Sequence, residues 1–513
     1  MEAALKHILN NLDVAIASGA KRYPLDPPFH PAQSYPEAPY AEKDTDPRNQ
    51  VYTMVRECFR LLQLDQVNFG RPEWNPLGGL ISPGDRVLIK PNFVLHFNAG
   101  GGPLDAVVTH PSVIRAVVDY VLIALKQQGE IVVGDSPQMN CDWGSLHKTT
   151  GMDVLASFFQ QACDKRGIKF RLADFRKEQT YYKHGIVWSR KPLGNGASPV
   201  RVSLGTDSFM EAIDSTRLYG ADYCRAETVR AHQGHHHEYL IAPQVFSSDV
   251  VISIPKLKVH RKVGTTLNLK NMVGINSDKN HLAHYRIGSP RKGGDEFCNP
   301  AWDDRVERLF SDLFLGAAGR SGKYPFLAWR AFRKLLRRVK PVSSGSAFAF
   351  GNWHGNDTAW RMVLDLNRIL LCTDQQRNLQ PEPARRYFSV IDGVVGGEGE
   401  GPLHPDAYAS GVVLAGFNPV AVDWTATRLM GFDPAEMPLY INAVKQMGEW
   451  VRGFAIDHCR IRSNEPQWEN LLEKEDVIMR FRAPAGWRGQ IERYELDRQS
   501  PAAVAPELSS LSQ

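Results

Sequence analysis

The chain has 513 residues, 43% of them hydrophobic and 23% charged, enough for two or three domains around at least one large core, which excludes a fibrous or mainly disordered protein. The net charge of +5, from 61 basic and 56 acidic residues, is too small and too dispersed to point to nucleic acid. The 7 cysteines (Cys58, Cys141, Cys163, Cys224, Cys298, Cys372 and Cys459) form no C-x-x-C pair, which excludes a zinc ribbon and an iron–sulfur cluster of the chain's own, and they read as thiols in a reducing compartment.

Residues 1–19 show no basic leader ahead of a long apolar run, and no stretch approaches the ~18 apolar residues of a membrane span, so the cytoplasm is the expected location. That segment is expected to form a short amphipathic helix. Residues 20–49 are rich in proline, which fixes φ and removes donors, and predict an extended arm. Val51, Met54, Val55, Phe59 and Leu62 then carry helical spacing.

A strand–helix–strand unit follows, the signature of a parallel sheet. RVLIKPNF holds a buried strand that stops at Pro91, Pro111 opens a helix running from Val113 to Lys126, and Glu130 to Val133 is the second strand, ending at Gly134-Asp135-Ser136-Pro137. Groups beyond the C-terminal ends of such strands build sites, which singles out Lys90, Asn92, Asp135 and Ser136. Further strands are expected at 168–173, at 199–205, at the unbroken apolar run DVVISI (249–254), at 387–391 and at 411–415, with a helix over 418–430. The fold expected is α/β, a mainly parallel sheet flanked by helices, with a Pro-rich N-terminal arm and a disordered tail from about 499. The division expected is an N-terminal unit over 1–79, an α/β domain over 80–440 with a basic helical insertion at about 300–350, and a C-terminal extension over 441–513.

In residues 323–340, Trp329, Phe332, Leu336 and Val339 line one helical face and Arg330, Arg333, Lys334, Arg337, Arg338 and Lys340 the other. Such a helix either docks on an anionic membrane or acidic partner, or packs on the core with a solvated basic face.

The richest segment is 232–295. Past the DVVISI strand, alternation puts Lys256, Lys258 and His260 on one side, while Leu257 and Val259 are buried. Lysines gathered at a strand end suit an anion or a carbonyl, and a desolvated lysine suits a base or Schiff-base role. Lys270 and Asn271 follow in the same segment, and then His281 and His284. A divalent metal held by His260, His281 and His284 is one expectation, and hydrogen-bonded or solvated histidines the alternative. GNWHGND, with His354 and Asn356, forms a tight polar loop ahead of a helix that Asp357 or Thr358 would cap, an arrangement that serves either capping or an anion. DGVVGGEGEGP follows a strand as a glycine-rich loop without a Walker GK[ST]; Glu398 and Glu400 there suit acid–base work, a cation or sugar hydroxyls. Neither a G-x-S-x-G elbow nor a dinucleotide glycine fingerprint occurs.

IKPNF, THPSVIRAVVD, IVVGDSP, the long run from DVVISIPKLKVH to RKGGDE, GNWHGNDTAWRMVLDLNRIL, VIDGVVGGEGEGP and AGFNPVAVDWTATRLMGFDP occur in this order over residues 80–440. They resemble the proteins of domain of unknown function 362, some of which carry ferredoxin modules whose cysteines this chain lacks. A more distant resemblance is to the nickel-pincer lactate racemases, in which a histidine after a strand is followed ten residues on by a cofactor-bearing lysine, with another histidine beyond. His260, Lys270 and then His281 or His284 would take those places, whereas IKPNF and VGDSP replace the racemases' Asp-His-Thr-Arg-Pro and Gly-Thr-His-Arg segments.

Together these readings lead to an enzyme acting on a small, polar, anionic substrate by isomerisation or epimerisation beside a carboxylate, or by a redox step with a partner. Lys90, Lys256 and Lys258 would hold the anion with Asn92, Asp135, Asn271, His354 and Asn356 around it. His260 and Lys270 would move protons or hold a cofactor, and Glu398 and Glu400 would close the site. The alternative is a non-catalytic binding or assembly protein docking through 323–340.

Overall fold

The unbroken apolar run after Asp249 becomes a central strand of an 11-stranded sheet. The computed structural model describes residues 9–40, 44–183, 186–194, 198–221, 224–298, 327–328, 331, 349–450 and 454–495. In chain order the strands of this sheet are β1 (Asp13–Ser18), β2 (Arg86–Pro91), β3 (Glu130–Asp135), β4 (Lys169–Asp174), β5 (Val250–Ile254), β6 (Lys256–His260), β7 (Gly264–Thr266), β8 (Arg386–Glu400), β9 (His404–Tyr408), β10 (Val412–Gly416) and β11 (Arg460–Ser463). The main path runs β11-β1-β10-β8-β5-β2-β3-β4; β6 and β9 pair with the outer half of β8, and β7 with β6.

Strands β8, β5, β2, β3 and β4 are parallel, with Val250 opposite both Val87 and Arg386. β10 is antiparallel to both β8 and β1, and β11 runs parallel to β1. The sheet is mainly parallel, as expected. From β2 the chain steps outward through β3 and β4, then returns to the other side of β2 as β5 and β8. That reversal leaves a crevice beyond the C-terminal ends of β2 and β5, the place where doubly wound sheets put their sites.

Helices α1 (Gln50–Leu61) and α2 (Pro111–Leu125) cover one face, and α4 (Ala359–Cys372) and α5 (Pro419–Leu429) the other; α3 (Asn268–Asn271) is a single turn. Alternation in β5 divides its side chains between the layers: Val250, Ile252 and Ile254 pack with α1 and α2, and Val251 with α4 and α5.

Three expectations change. Residues 13–18 are a strand where a helix was expected, because Val14 and Ile16 feed one core layer and Ala15 and Ala17 the other, and pairing on both edges outweighs local propensity. The terminal segments therefore complete the central sheet through β1 and β11. The glycine-rich stretch after Asp392 is not a loop; β8 runs through it to Glu400, and its glycines admit close neighbours. A Cβ on Gly396 would lie 2.6 Å from the Phe481 ring, and one on Gly397 2.5 Å from the Ala106 carbonyl oxygen. The Pro-rich arm is extended but packed down, with Phe29 and Tyr35 buried and the Tyr40 hydroxyl donating to Asp119. The tail from about 499, and all but three residues of 323–340 in the basic insertion, lie outside the described residues.

Candidate active site

Four segments meet at the crevice: the ends of β2 and β3, the β6–β7 hairpin, the α3 turn with the chain after it, and the β8–β9 connection. They enclose a cavity of about 310 Å³. Its floor is an ion pair. Lys90, at the end of β2, is fully buried with its Nζ 2.6 Å from Asp135 Oδ1 at the end of β3. Lys90 Nζ also donates to the Pro91 carbonyl and to Asn271 Oδ1, and Asp135 Oδ2 accepts from the Phe93 amide. Burial lowers the Lys90 pKa, and Asp135 opposes that shift. Asn271 spans the switch point by donating to the Lys90 carbonyl on β2 and to Ser253 Oγ on β5.

Gly274 lies against this pair. A Cβ there would fall 1.9 Å from Asp135 Oδ1 and 2.5 Å from Lys90 Nζ. Gly274→Ala is therefore expected to displace the pair and lower stability by about 1–3 kcal/mol. Urea unfolding checks it, and an unchanged midpoint would mean that the pair has room to move.

Lys270 stands on the α3 turn, which Asp423 of α5 holds from below. Asp423 accepts from the Asn268 amide (2.8 Å), the Asn268 side-chain amide (2.9 Å) and the Leu269 amide (2.9 Å). Asn367 of α4 donates to the Leu269 carbonyl. Burial raises the Asp423 pKa to about 7, against the pull of those donors. The Lys270 side chain lines the cavity, 8% exposed, with no hydrogen bond to a described residue. Its pKa is pulled down to about 7, first by burial and then by the charges of Lys279, Lys262 and Lys90. Lys262 is also lowered to about 7, and Lys279 to about 8, mainly by burial.

Two histidines flank this lysine. His260 Nδ1 accepts from the Lys262 amide at 3.1 Å, so a neutral ring carries its proton on Nε2. His284 Nδ1 lies 2.9 Å from the Leu282 carbonyl, to which only an N–H can donate, so a neutral ring keeps a lone pair on Nε2. Burial and the neighbouring positive charges, Lys270 foremost, hold both rings well below the usual histidine range. The cavity therefore presents an N–H donor, a free lone pair and an amine on cationic walls.

Of the residues singled out in the sequence, His260, Lys270, His284, Asn92, Asp135, Ser136, Asn271 and Glu400 line this cavity, and Lys90 supports its floor. Others do not reach it. Lys256 is buried between Asp392 (3.0 Å) and the Tyr23 hydroxyl (2.6 Å), where it ties the N-terminal arm to β8. Lys258 is also buried; it donates to Asn92 Oδ1 and the Val107 carbonyl, and so positions Asn92 rather than meeting a ligand. Glu398 accepts from the Arg482 amide. Glu400 is already engaged by Arg261 (2.8 Å) and the Ala485 amide. His354 packs edge-on against Trp487, and Asn356 caps α4 by accepting from the Thr358 and Ala359 amides. Thr358 is the N-cap residue, as expected, but its side chain makes no cap bond and Asn356 supplies the acceptor, while Asp357 pairs with Arg286 and Arg361.

The three-histidine metal set does not form. His281 Nδ1 turns away to the Glu238 carbonyl, and among the described residues no three His, Cys, Asp or Glu side chains converge as a metal would need. Sequence reading missed Lys279, Lys262, His404 and Asp423. Lys279, Lys262 and His404 stand in or beside segments already noted, but nothing in residue type separates a cavity lysine from a surface one.

Among the described residues no helix is long and apolar enough to cross a membrane. No solved structure matches the chain, and the likeness to nickel-pincer lactate racemases is not shown. A curated relative, the thylakoid-associated protein sll1697 of Synechocystis sp., is 23% identical over 367 residues, 71% of this chain and 69% of the relative. The family model described as Domain of unknown function (DUF362) matches residues 87–190 and 194–428, a span holding the five parallel strands, His260, His284 and His404 of the cavity, Lys270 and the Asp423 that fixes its turn. By that match, and by the motifs it contains, the chain belongs to the DUF362 family.

Proposed function

We propose that this cavity is the active site of an enzyme that moves a proton on a small anionic substrate, as an isomerase or epimerase does beside a carboxylate. One observation carries the reading: the Lys270 ammonium, without a partner among the described residues, faces the cavity beside two histidines of opposite neutral tautomer. The anion would replace the missing counter-charge of Lys270, Lys279 and Lys262. With the bound anion neutralising the ammonium charges that hold its pKa down, His284 Nε2 would accept a proton, and the His260 Nε2–H would support the oxygen on which charge develops. The free cysteines fit a reducing, cytoplasmic setting.

The test is solvent exchange. In D2O, small 2-hydroxy and 2-oxo carboxylates such as lactate and pyruvate are expected to exchange their activated C–H positions in the presence of the full chain, and the exchange should disappear in His284→Gln. Thermal stabilisation by these anions without exchange would leave a binding protein and overturn the catalytic reading. The pH dependence has a defined sign. A bound anion keeps Lys270 protonated, so above about pH 7 binding must take up a proton, and affinity should fall by up to about tenfold per pH unit. Titration calorimetry in buffers of different ionisation enthalpy reads that uptake, and binding that is independent of pH between about 7 and about 9 would exclude Lys270 from the contact.

The relative's printed name carries a second reading, peripheral membrane attachment through the basic residues of 323–340. Co-sedimentation with phosphatidylglycerol vesicles that is lost when Arg330, Arg333, Lys334, Arg337, Arg338 and Lys340 become glutamine would support it. Equal sedimentation of both forms would remove it.

A further inference from the structure

Lys270 differs from the other lysines of the cavity. Lys90 Nζ is held by Asp135, Lys279 Nζ donates to the Ser136 carbonyl and hydroxyl (2.7 and 3.1 Å), and Lys262 Nζ donates to the Phe350 carbonyl. Lys270 Nζ has no such bond among the described residues, yet the backbone beneath it is fixed by Asp423 and Asn367. An amine on a fixed backbone turn, mostly buried and without a partner among the described residues, is free to act as a nucleophile as well as to meet an anion. Beside it stand a ring nitrogen that can take protons, His284 Nε2, and one that can support an oxyanion, His260 Nε2–H.

We propose that Lys270 forms an imine with the carbonyl carbon of a small 2-oxo carboxylate, whose carboxylate sits against Lys279 and Lys262. The inference rests on the active-site reading above and names its substrate class. The Nζ lone pair forms the C–N bond while the carbonyl π pair moves onto oxygen, where the His260 N–H donates to it. Both Nζ protons leave by way of His284 Nε2 and end on that oxygen, the C–O bond breaks, and the oxygen departs as water as the nitrogen pair closes the C=N bond. Amine and ketone give imine and water, and neither oxidant nor reductant is consumed. Protonated by solvent, the imine draws electrons from the adjacent carbon and so lowers the barrier to the proton transfer proposed there.

The experiment is reductive trapping. The full chain is incubated with pyruvate or 2-oxoglutarate and sodium cyanoborohydride, and the adduct is located by peptide mass spectrometry. A lysine titrating near 7 is about half free amine at neutral pH, whereas an ordinary one is below ~0.1% free. A single adduct on Lys270, formed more than about a hundredfold faster than on surface lysines, is therefore expected. Lys270→Arg, which keeps a cation but has no nucleophile, should form none while still gaining thermal stability from the oxo acid. Adducts spread over surface lysines, or centred on Lys262 or Lys279, would overturn the proposal. If the oxo acids stabilise the unmodified chain without any adduct, the imine falls and the anion site stands. If they neither stabilise it nor form an adduct, both fall.

Discussion

Lys270→Met is expected to abolish turnover and to weaken anion-dependent stabilisation, while leaving the chain folded and no less stable at neutral pH. Met fills nearly the same volume without placing a charge where the side chain is mostly buried. Losing a charge-assisted contact to an anion should weaken binding by about 1.5–3 kcal/mol, roughly tenfold to more than a hundredfold. Stability should move the other way. The folded-state pKa of Lys270 is about 7 and its unfolded value is the ordinary one, so between those values the unfolded chain binds more protons. The penalty of holding the ammonium is therefore complete below about pH 7 and fades as pH rises toward about 10.5. The variant's stability advantage should be largest at neutral pH and shrink in alkali, and urea unfolding across that range measures it. A variant that unfolds at every pH would make Lys270 a structural residue.

The largest stability loss is expected at the cavity floor. Asp135→Asn leaves the Lys90 ammonium buried without its counterion, a situation that costs about 3–5 kcal/mol in comparable pairs. The double change Asp135→Asn with Lys90→Met removes both charges and should recover most of that loss, because two neutral groups carry no stranded charge. If the single and double variants are equally destabilised, the loss comes from the Phe93 amide contact of Asp135 and not from the ion pair.

What could be read in advance followed local rules. Lys90 and Asp135 were found because each ends an apolar run, and the crevice rule then places them without any knowledge of contacts. His260 and Lys270 emerged from one dense segment that the β6–β7 hairpin and the α3 turn fold back on itself. The errors are pairings at long range. Lys256 has the local setting of a ligand-binding lysine, but Asp392, 136 residues further on, pairs with it. Asp423 escaped notice because the turn it caps begins 155 residues earlier, at Asn268. The β8 glycines suggested a loop since glycine marks turns more often than close packing, and only the Phe481 ring and the Ala106 carbonyl reveal their use. The two histidines differ in tautomer through backbone contacts, which residue type does not encode.

The seating of β1 has a consequence for how the molecule is made. Among the described residues this strand pairs only with residues 412–416 and 460–463, which are made long after it. At about 5–20 residues per second, some 400 further residues take roughly 20 to 80 s to appear. Throughout that interval the apolar segment Val14 to Ala17 has no edge to join, and it is a natural handle for a chaperone. Strands β2 to β5 can assemble during the wait, whereas the pocket is complete only once β8, its connection to β9 and the Asp423 that holds the α3 turn have followed.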